Sequence, residues 1–337
     1  MDVVGPVMHE PRSVVITGAS RGLGLASATH LYRLGWRVVG AMRSPEVGLE
    51  RLRAATGAAA ADPRLLGVRL DLNDPSSVIA AAKAIKEAVG APNVLVHNAG
   101  IAAAGSVEET PAGVWEQLFR TNLFGPVQLT RELLPSMRAA GRGRIIVVSS
   151  QGGIWGIPSI GAYSASKGAL ERWAEALAEE VAPFGLGVTI LVAGTFKTDI
   201  LTEQTPHHGD LNGPYAAHYA GIDRTGGFMV RRASPPERFA SALARILDER
   251  APFARHTVGF DARMLLFAGR LLPARLLYQL IRLAMGLPRH GGLRGSRPAT
   301  NAPSEGNKLR GTPPTMDSRT RNGVGDGGLP HSSSTSQ

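Results

Sequence analysis

Six short apolar runs rich in β-branched residues recur along the chain: Ser13–Thr17, Arg37–Met42, Leu65–Leu70, Asn93–His97, Arg144–Ser149 and Gly187–Val192. Segments of helical period fall near Gly22–Leu34, Pro75–Val89, Pro111–Ala139, Ala162–Ala182 and Pro235–Asp248. Runs that are apolar at almost every position must be covered on both faces, and strands separated by helices run parallel. The pattern therefore predicts an α/β fold with a doubly wound parallel sheet. Helix starts are signed by a capping oxygen ahead of a proline at Asp74-Pro75 and Thr110-Pro111. Ser234-Pro235-Pro236-Glu237 adds a glutamate at the capping-box position.

The first run leads straight into Thr17-Gly18-Ala19-Ser20-Arg21-Gly22-Leu23-Gly24. Gly18 permits a tight turn, and Gly22 and Gly24 let backbone approach a ligand and the strand approach the helix. The helix N-terminus then aims free N–H groups and the positive end of its dipole at a pyrophosphate. A glycine-rich turn alone could be an ordinary strand–helix turn, but its place after the first apolar strand predicts the dinucleotide-binding turn of a Rossmann fold. An NAD site needs a carboxylate at the end of the second strand to accept from the ribose 2′-hydroxyl. The chain offers Gly40-Ala41-Met42-Arg43-Ser44 instead. Arg43, with Arg21 in the turn, can pair with a 2′-phosphate, so NADP(H) is the expected cofactor.

Tyr163 and Lys167 stand four apart at the start of a predicted helix and share a face. A free tyrosine titrates near pH ~10, and a neighbouring ammonium lowers that value toward useful proton transfer. Ser150 ends a buried strand, where its hydroxyl can polarise a carbonyl beside Tyr163.

These residues resemble the short-chain dehydrogenases/reductases. The likeness rests on Thr17–Gly24, Asp71, Asn98-Ala99-Gly100, Asn122, Ser150 and Tyr163-Ser164-Ala165-Ser166-Lys167, in the family's order, with Ser150 thirteen residues before Tyr163. It covers about residues 12 to 200. The resemblance implies that Tyr163 donates the proton in reduction and accepts it in oxidation. Lys167 would bind the nicotinamide ribose and lower the tyrosine's pKa, Ser150 would hold the substrate oxygen, and Asn122 would fix a relay water behind Lys167. Asp71 and Leu72 would meet the adenine, Asn98, Ala99 and Gly100 the adenosine ribose, and Thr198 the carboxamide or pyrophosphate. Gly18, Ser20, Arg21, Gly22, Leu23 and Gly24 would hold the phosphates, with Arg43 at the 2′ position. The family implies a homodimer or homotetramer through Pro111–Ala139 and Ala162–Ala182. Two positions depart from its pattern. Ala193-Gly194 replaces the usual Pro-Gly, which is expected to loosen the turn toward Thr198. His97 stands where asparagine is usual and reads as a packing substitution.

Composition narrows the alternatives. The 337 residues contain no cysteine, which excludes disulfides, thiolate metal sites and a cysteine nucleophile and fits a reducing compartment. The net charge is +10. Residues 261–290 carry five arginines and one aspartate, and residues 291–337 six basic and three acidic groups, so the main domain carries only +3. No nucleic-acid face is expected there. The N-terminus lacks a signal-peptide pattern and no apolar run spans a bilayer, so a cytoplasmic protein is expected. His207, His208 and His218 lack the spacing of a metal site, and none is expected. Trp115, Phe119 and Phe124 read as core or subunit packing.

Residues 1–260 are thus expected to form one catalytic domain. Leu201–Arg232, rich in Gly, His, Tyr and Thr, reads as a long lid, a binding loop or a disordered segment. Asp261–Met285 reads as two amphipathic helices split at Pro273, either packing over the substrate cleft or between subunits, or resting peripherally on an anionic membrane. Gly, Ser and Pro make up 21 of the last 47 residues, which predicts a disordered tail over 291–337. The expected function is NADP(H)-dependent interconversion of a carbonyl and an alcohol on a small hydrophobic substrate such as a steroid, retinoid or lipid-like ketone. A 3-oxoacyl-thioester reductase, or a membrane-associated NADP-binding protein with little turnover, are the alternatives.

Overall fold

The computed structural model describes residues 11–198, 200 and 205–293, all within one compact unit. The expected disordered tail lies, beyond Leu293, outside the described residues. Seven parallel strands form one sheet in the order β3-β2-β1-β4-β5-β6-β7. They are β1 Ser13–Thr17, β2 Arg37–Met42, β3 Leu65–Arg69, β4 Val94–His97, β5 Gly143–Ser150, β6 Leu186–Ala193 and β7 Phe253–Val258. The first six are those read from the apolar runs. β7 is an addition: FARHTV carries three consecutive polar residues, Arg255 to Thr257, so it does not read as an apolar run, and it pairs with β6 from Val188↔Phe253 to Ala193↔Val258 at the sheet edge.

The order reverses direction between β1 and β4, leaving a crevice at the carboxyl ends of the strands. Apolar side chains of alternate parity pack into two layers. Val15, Val39, Leu95, Val147 and Ile190 face one side, and Val14, Ile16, Val38, Val96 and Ile146 the other. The helices are α1 Gly22–Arg33, α2 Pro45–Thr56, α3 Pro75–Val89, α4 Ala112–Phe119, α5 Gly125–Ala139, α6 Gln151–Ile154, α7 Gly161–Val181, α8 Ala216–Arg231, α9 Pro236–Ile246, α10 Phe260–Leu271 and α11 Ala274–Ala284.

Several expectations are corrected. The continuous helix over Pro111–Ala139 is broken by a π-helical turn, Arg120–Phe124, between α4 and α5. Such turns are common at functional sites, and here the turn carries Asn122 into the interior. Asp74 caps α3 by accepting from Ser76 N at 2.9 Å, but the other two caps do not form. The Thr110 hydroxyl turns back to the Ser106 carbonyl at 2.7 Å, and α9 starts from Pro235 without a side-chain cap.

Leu201–Arg232 is not all loop, because α8 occupies its second half. Its composition is poor for a helix; packing compensates. Tyr219 is buried, and Gly221 lies so close to the Gly286 carbonyl that a Cβ there would sit 2.6 Å from it. Trp115 packs beside Ala103, Leu118 and Ala162, whereas Phe124 is exposed.

Candidate active site

The turn after β1 is held by its neighbours. Gly18 N donates to the Ala41 carbonyl at 2.8 Å, and Thr17 Oγ1 accepts from Asn98 N and Ala99 N at 3.0 Å each. The Asn98 amide donates to the Thr17 carbonyl at 2.9 Å. Its side chain therefore braces the turn rather than facing a ligand, leaving Ala99 and Gly100 to line the crevice. Gly18 has φ +70° and Gly22 φ +54°, the left-handed region that favours glycine. A side chain on Gly24 would overlap the Gly18 carbonyl and stand 2.6 Å from Asn98 Nδ2. Arg21 precedes α1 with no side-chain cap, so the N–H groups of Gly22, Leu23 and Gly24 have no intrahelical acceptor. That bare, tightly approached N-terminus fits a pyrophosphate.

The flanking residues lie at the same sheet edge. Ser20 is half-buried, and Arg21 and Arg43 are exposed. Arg43 directly follows β2, whose Ala41 pairs with Thr17. Asp71 follows β3 and accepts from Asn73 N at 2.9 Å. Leu72 is buried, with its side chain and its carbonyl oxygen both packed against Gly125. Thr198 comes up to the glycine turn, its Cγ2 3.4 Å from where a Cβ on Gly22 would be.

Ser150, Tyr163 and Lys167 converge beside it. Ser150 ends β5, next to β6 through the pair Ser150↔Ala193. The α7 helix carries Tyr163 and Lys167 one turn apart, and the Ser150 hydroxyl stands near enough to the Tyr163 phenol to pull its pKa down. Lys167 is buried, donates to the Val148 carbonyl at 2.9 Å, and lies 6.0 Å from the Tyr163 ring centroid. Gly100 closes the other side: a Cβ there would stand 3.2 Å from Lys167 Nζ and 3.3 Å from Asn122 Oδ1. Asn122 is fully buried. Its Oδ1 accepts from Ile101 N at 2.9 Å, and its Nδ2 donates to Ile101 O and Ser166 Oγ at 3.0 and 2.9 Å. With its side chain committed on both ends, Asn122 pins the Gly100 segment against α7.

Burial dominates the electrostatics: it pushes the Tyr163 phenol up, with the Ser150 hydroxyl opposing. Burial also pulls the Lys167 ammonium down, to about 8, against the attraction of Glu171.

Glu171 was not singled out from sequence. One turn beyond Lys167 it is buried, accepts from Ser149 Oγ at 2.6 Å, and pairs with Arg255 of β7 at 2.9 Å. Arg255 also meets Glu175 at 2.6 Å. Burial raises the Glu171 carboxyl, opposed by Ser149 and Arg255. The four-residue spacing to Lys167 was legible, but the Arg255 partner arrives on the strand that the reading lacked.

The Ala193-Gly194 turn is pinned rather than loosened. Asp261 Oδ2 accepts from Thr195 N at 2.7 Å and from Gln151 Nε2 at 2.6 Å, and Gly194 N donates to Val258 O at 2.8 Å. A side chain on Gly194 would overlap the Asp261 carboxylate. Tyr219 fastens α8 beside the site, accepting from Ser106 N at 2.8 Å and donating to Glu109. His207 packs on the Tyr219 ring at 4.8 Å, and no metal-holding group of three His, Asp or Glu occurs among the described residues. His97 is buried, bonded to Thr130 Oγ1 at 2.7 Å and edge-on to Trp173 at 5.9 Å.

Comparison with known proteins agrees with this geometry. The family described as short chain dehydrogenase matches residues 12–209. The 3-ketodihydrosphingosine reductase of Bacteroides thetaiotaomicron is 32% identical over 255 residues, 74% of this chain and 88% of that protein. A crystal structure of a short-chain dehydrogenase from Streptomyces avermitilis superposes with a TM-score of 0.69 at 33% identity, over 86% of this chain and 100% of the other. One from Burkholderia phymatum, in complex with NAD, gives 0.66 at 28% identity, over 80% and 95%.

Proposed function

The chain belongs to the short-chain dehydrogenase/reductase family, and from that premise we propose that it interconverts a hydrophobic ketone and its alcohol using NADP(H). The observation that carries this reading is the convergence of Ser150, Tyr163 and Lys167 beside the bare N-terminus of α1.

Gly18 to Gly24 would hold the pyrophosphate, Asp71, Leu72, Ala99 and Gly100 the adenosine half, and Thr198 and Lys167 the nicotinamide half. When bound, the nicotinamide supplies hydride to the carbonyl carbon or takes it from the carbinol carbon. The chain's own residues handle the oxygen. Ser150 Oγ donates to the substrate carbonyl and orients it. Tyr163 holds its proton at neutral pH, as any tyrosine does, and is placed to protonate a developing alkoxide. The Lys167 ammonium favours the phenolate left behind. In oxidation the same phenolate takes the proton back.

NADP(H) is preferred because Arg43 stands at the end of β2 where an NAD site needs an acid. Wild-type NADPH and NADH oxidation is to be measured on a panel of hydrophobic ketones, headed by 3-ketodihydrosphingosine, which names the Bacteroides thetaiotaomicron relative. Turnover with NADPH is expected. Arg43→Ala is expected to lower kcat/KM for NADPH about 10- to 100-fold, the worth of a charged hydrogen bond, and to leave NADH unaffected. A wild-type preference for NADH would overturn the assignment.

A further inference from the structure

We propose that the outer faces of α10 and α11 rest on an anionic lipid surface. In α10, Phe260, Met264, Phe267 and Leu271 are spaced 4, 3 and 4 apart, so they share one face, and they are 78, 48, 57 and 63% exposed. The helix is attached by another side, through buried Ala262 and the Asp261 carboxylate that binds Gln151 and Thr195. In α11, Leu276, Leu280 and Leu283 form a second exposed stripe, while Leu277 is buried. Apolar surface of this extent marks an interaction site rather than ordinary surface.

Charge selects the occupant. Arg263, Arg270 and Arg275 are exposed on the same two helices, and Arg231 and Arg232 end α8, which touches α11 through Thr225 Oγ1 and the Ala284 carbonyl at 3.3 Å. Asp261, the one acid between residues 261 and 290, is spent on the protein interior. A second copy placed by two-fold symmetry would set this arginine-bordered face against itself with no carboxylate of the segment to answer it. Anionic headgroups over acyl chains answer both features, taking the arginines at the interface and the phenylalanines and leucines beneath it. No helix among the described residues is long and apolar enough to cross a membrane, so the pair lies in the interface.

The test is co-sedimentation of the full chain with phosphatidylcholine vesicles, with and without about one-third phosphatidylserine. Binding is expected only with phosphatidylserine and should weaken as salt rises. Phe260→Ser/Phe267→Ser/Leu283→Ser is expected to reduce the partition about tenfold or more while keeping the wild-type circular dichroism and turnover on a soluble ketone. Arg263→Gln/Arg270→Gln/Arg275→Gln should remove the phosphatidylserine dependence. Serine-variant binding equal to wild type would place the attraction elsewhere and overturn the proposal. So would loss of a dimer instead of loss of vesicle binding.

Discussion

Tyr163→Phe is expected to lower kcat/KM for NADPH-dependent ketone reduction about a hundred- to ten-thousand-fold, the usual worth of a positioned general acid. NADPH binding, read by fluorescence titration, is expected to stay at the wild-type level. The substitution removes one oxygen from a ring that otherwise stays put, since α7 is held by buried Leu170, Ala174, Leu177, Ala178 and Val181. The glycine turn and Lys167 are untouched. A loss of binding equal to the loss of turnover would mean that Tyr163 supports the cofactor rather than the proton transfer.

The second large effect concerns stability in acid. His97 is buried against Thr130 and Trp173, and burial holds its pKa at about 3, far below the usual 6.5. The unfolded chain binds a proton near pH 6.5 that the folded chain refuses until about pH 3. Stability from this residue is therefore complete above pH 6.5 and falls between 6.5 and 3, at up to about 1.4 kcal/mol per pH unit. Urea unfolding at pH 7 and pH 4.5 should show the wild type losing ~3 kcal/mol more than His97→Asn. Asparagine can still reach toward Thr130 but does not titrate. Parallel losses in the two proteins would show that His97 does not set the acid limit.

The sheet and the candidate site residues were legible because each rests on a local pattern. β1, β2, β4, β5 and β6 are apolar on both faces, the glycine turn follows β1 directly, and Tyr163 and Lys167 sit one helical turn apart. What escaped depends on partners distant in the chain. β7 closes an edge and carries three polar residues in a row, Arg255 to Thr257, and α2 buries only Gly48 and Leu52, leaving little apolar period to read. The α8 helix is held by Tyr219 on Glu109 and Gly221 on Gly286, across more than 60 residues in each direction. The π-helical turn at Asn122 has no composition of its own. Glu171 takes its place only through Arg255 and Ser149, which the fold brings to it, and Asp261 only through Thr195 and Gln151.

In the proposed reaction Ser150 and Tyr163 act together on one substrate oxygen. The most direct measurement is kcat/KM for NADPH-dependent ketone reduction in wild type, Ser150→Ala, Tyr163→Phe and the double variant. Joint action predicts a double variant no slower than Tyr163→Phe by more than about threefold, because removing either partner already spoils the shared work. Losses that simply multiply would show two groups acting independently and would contradict the account.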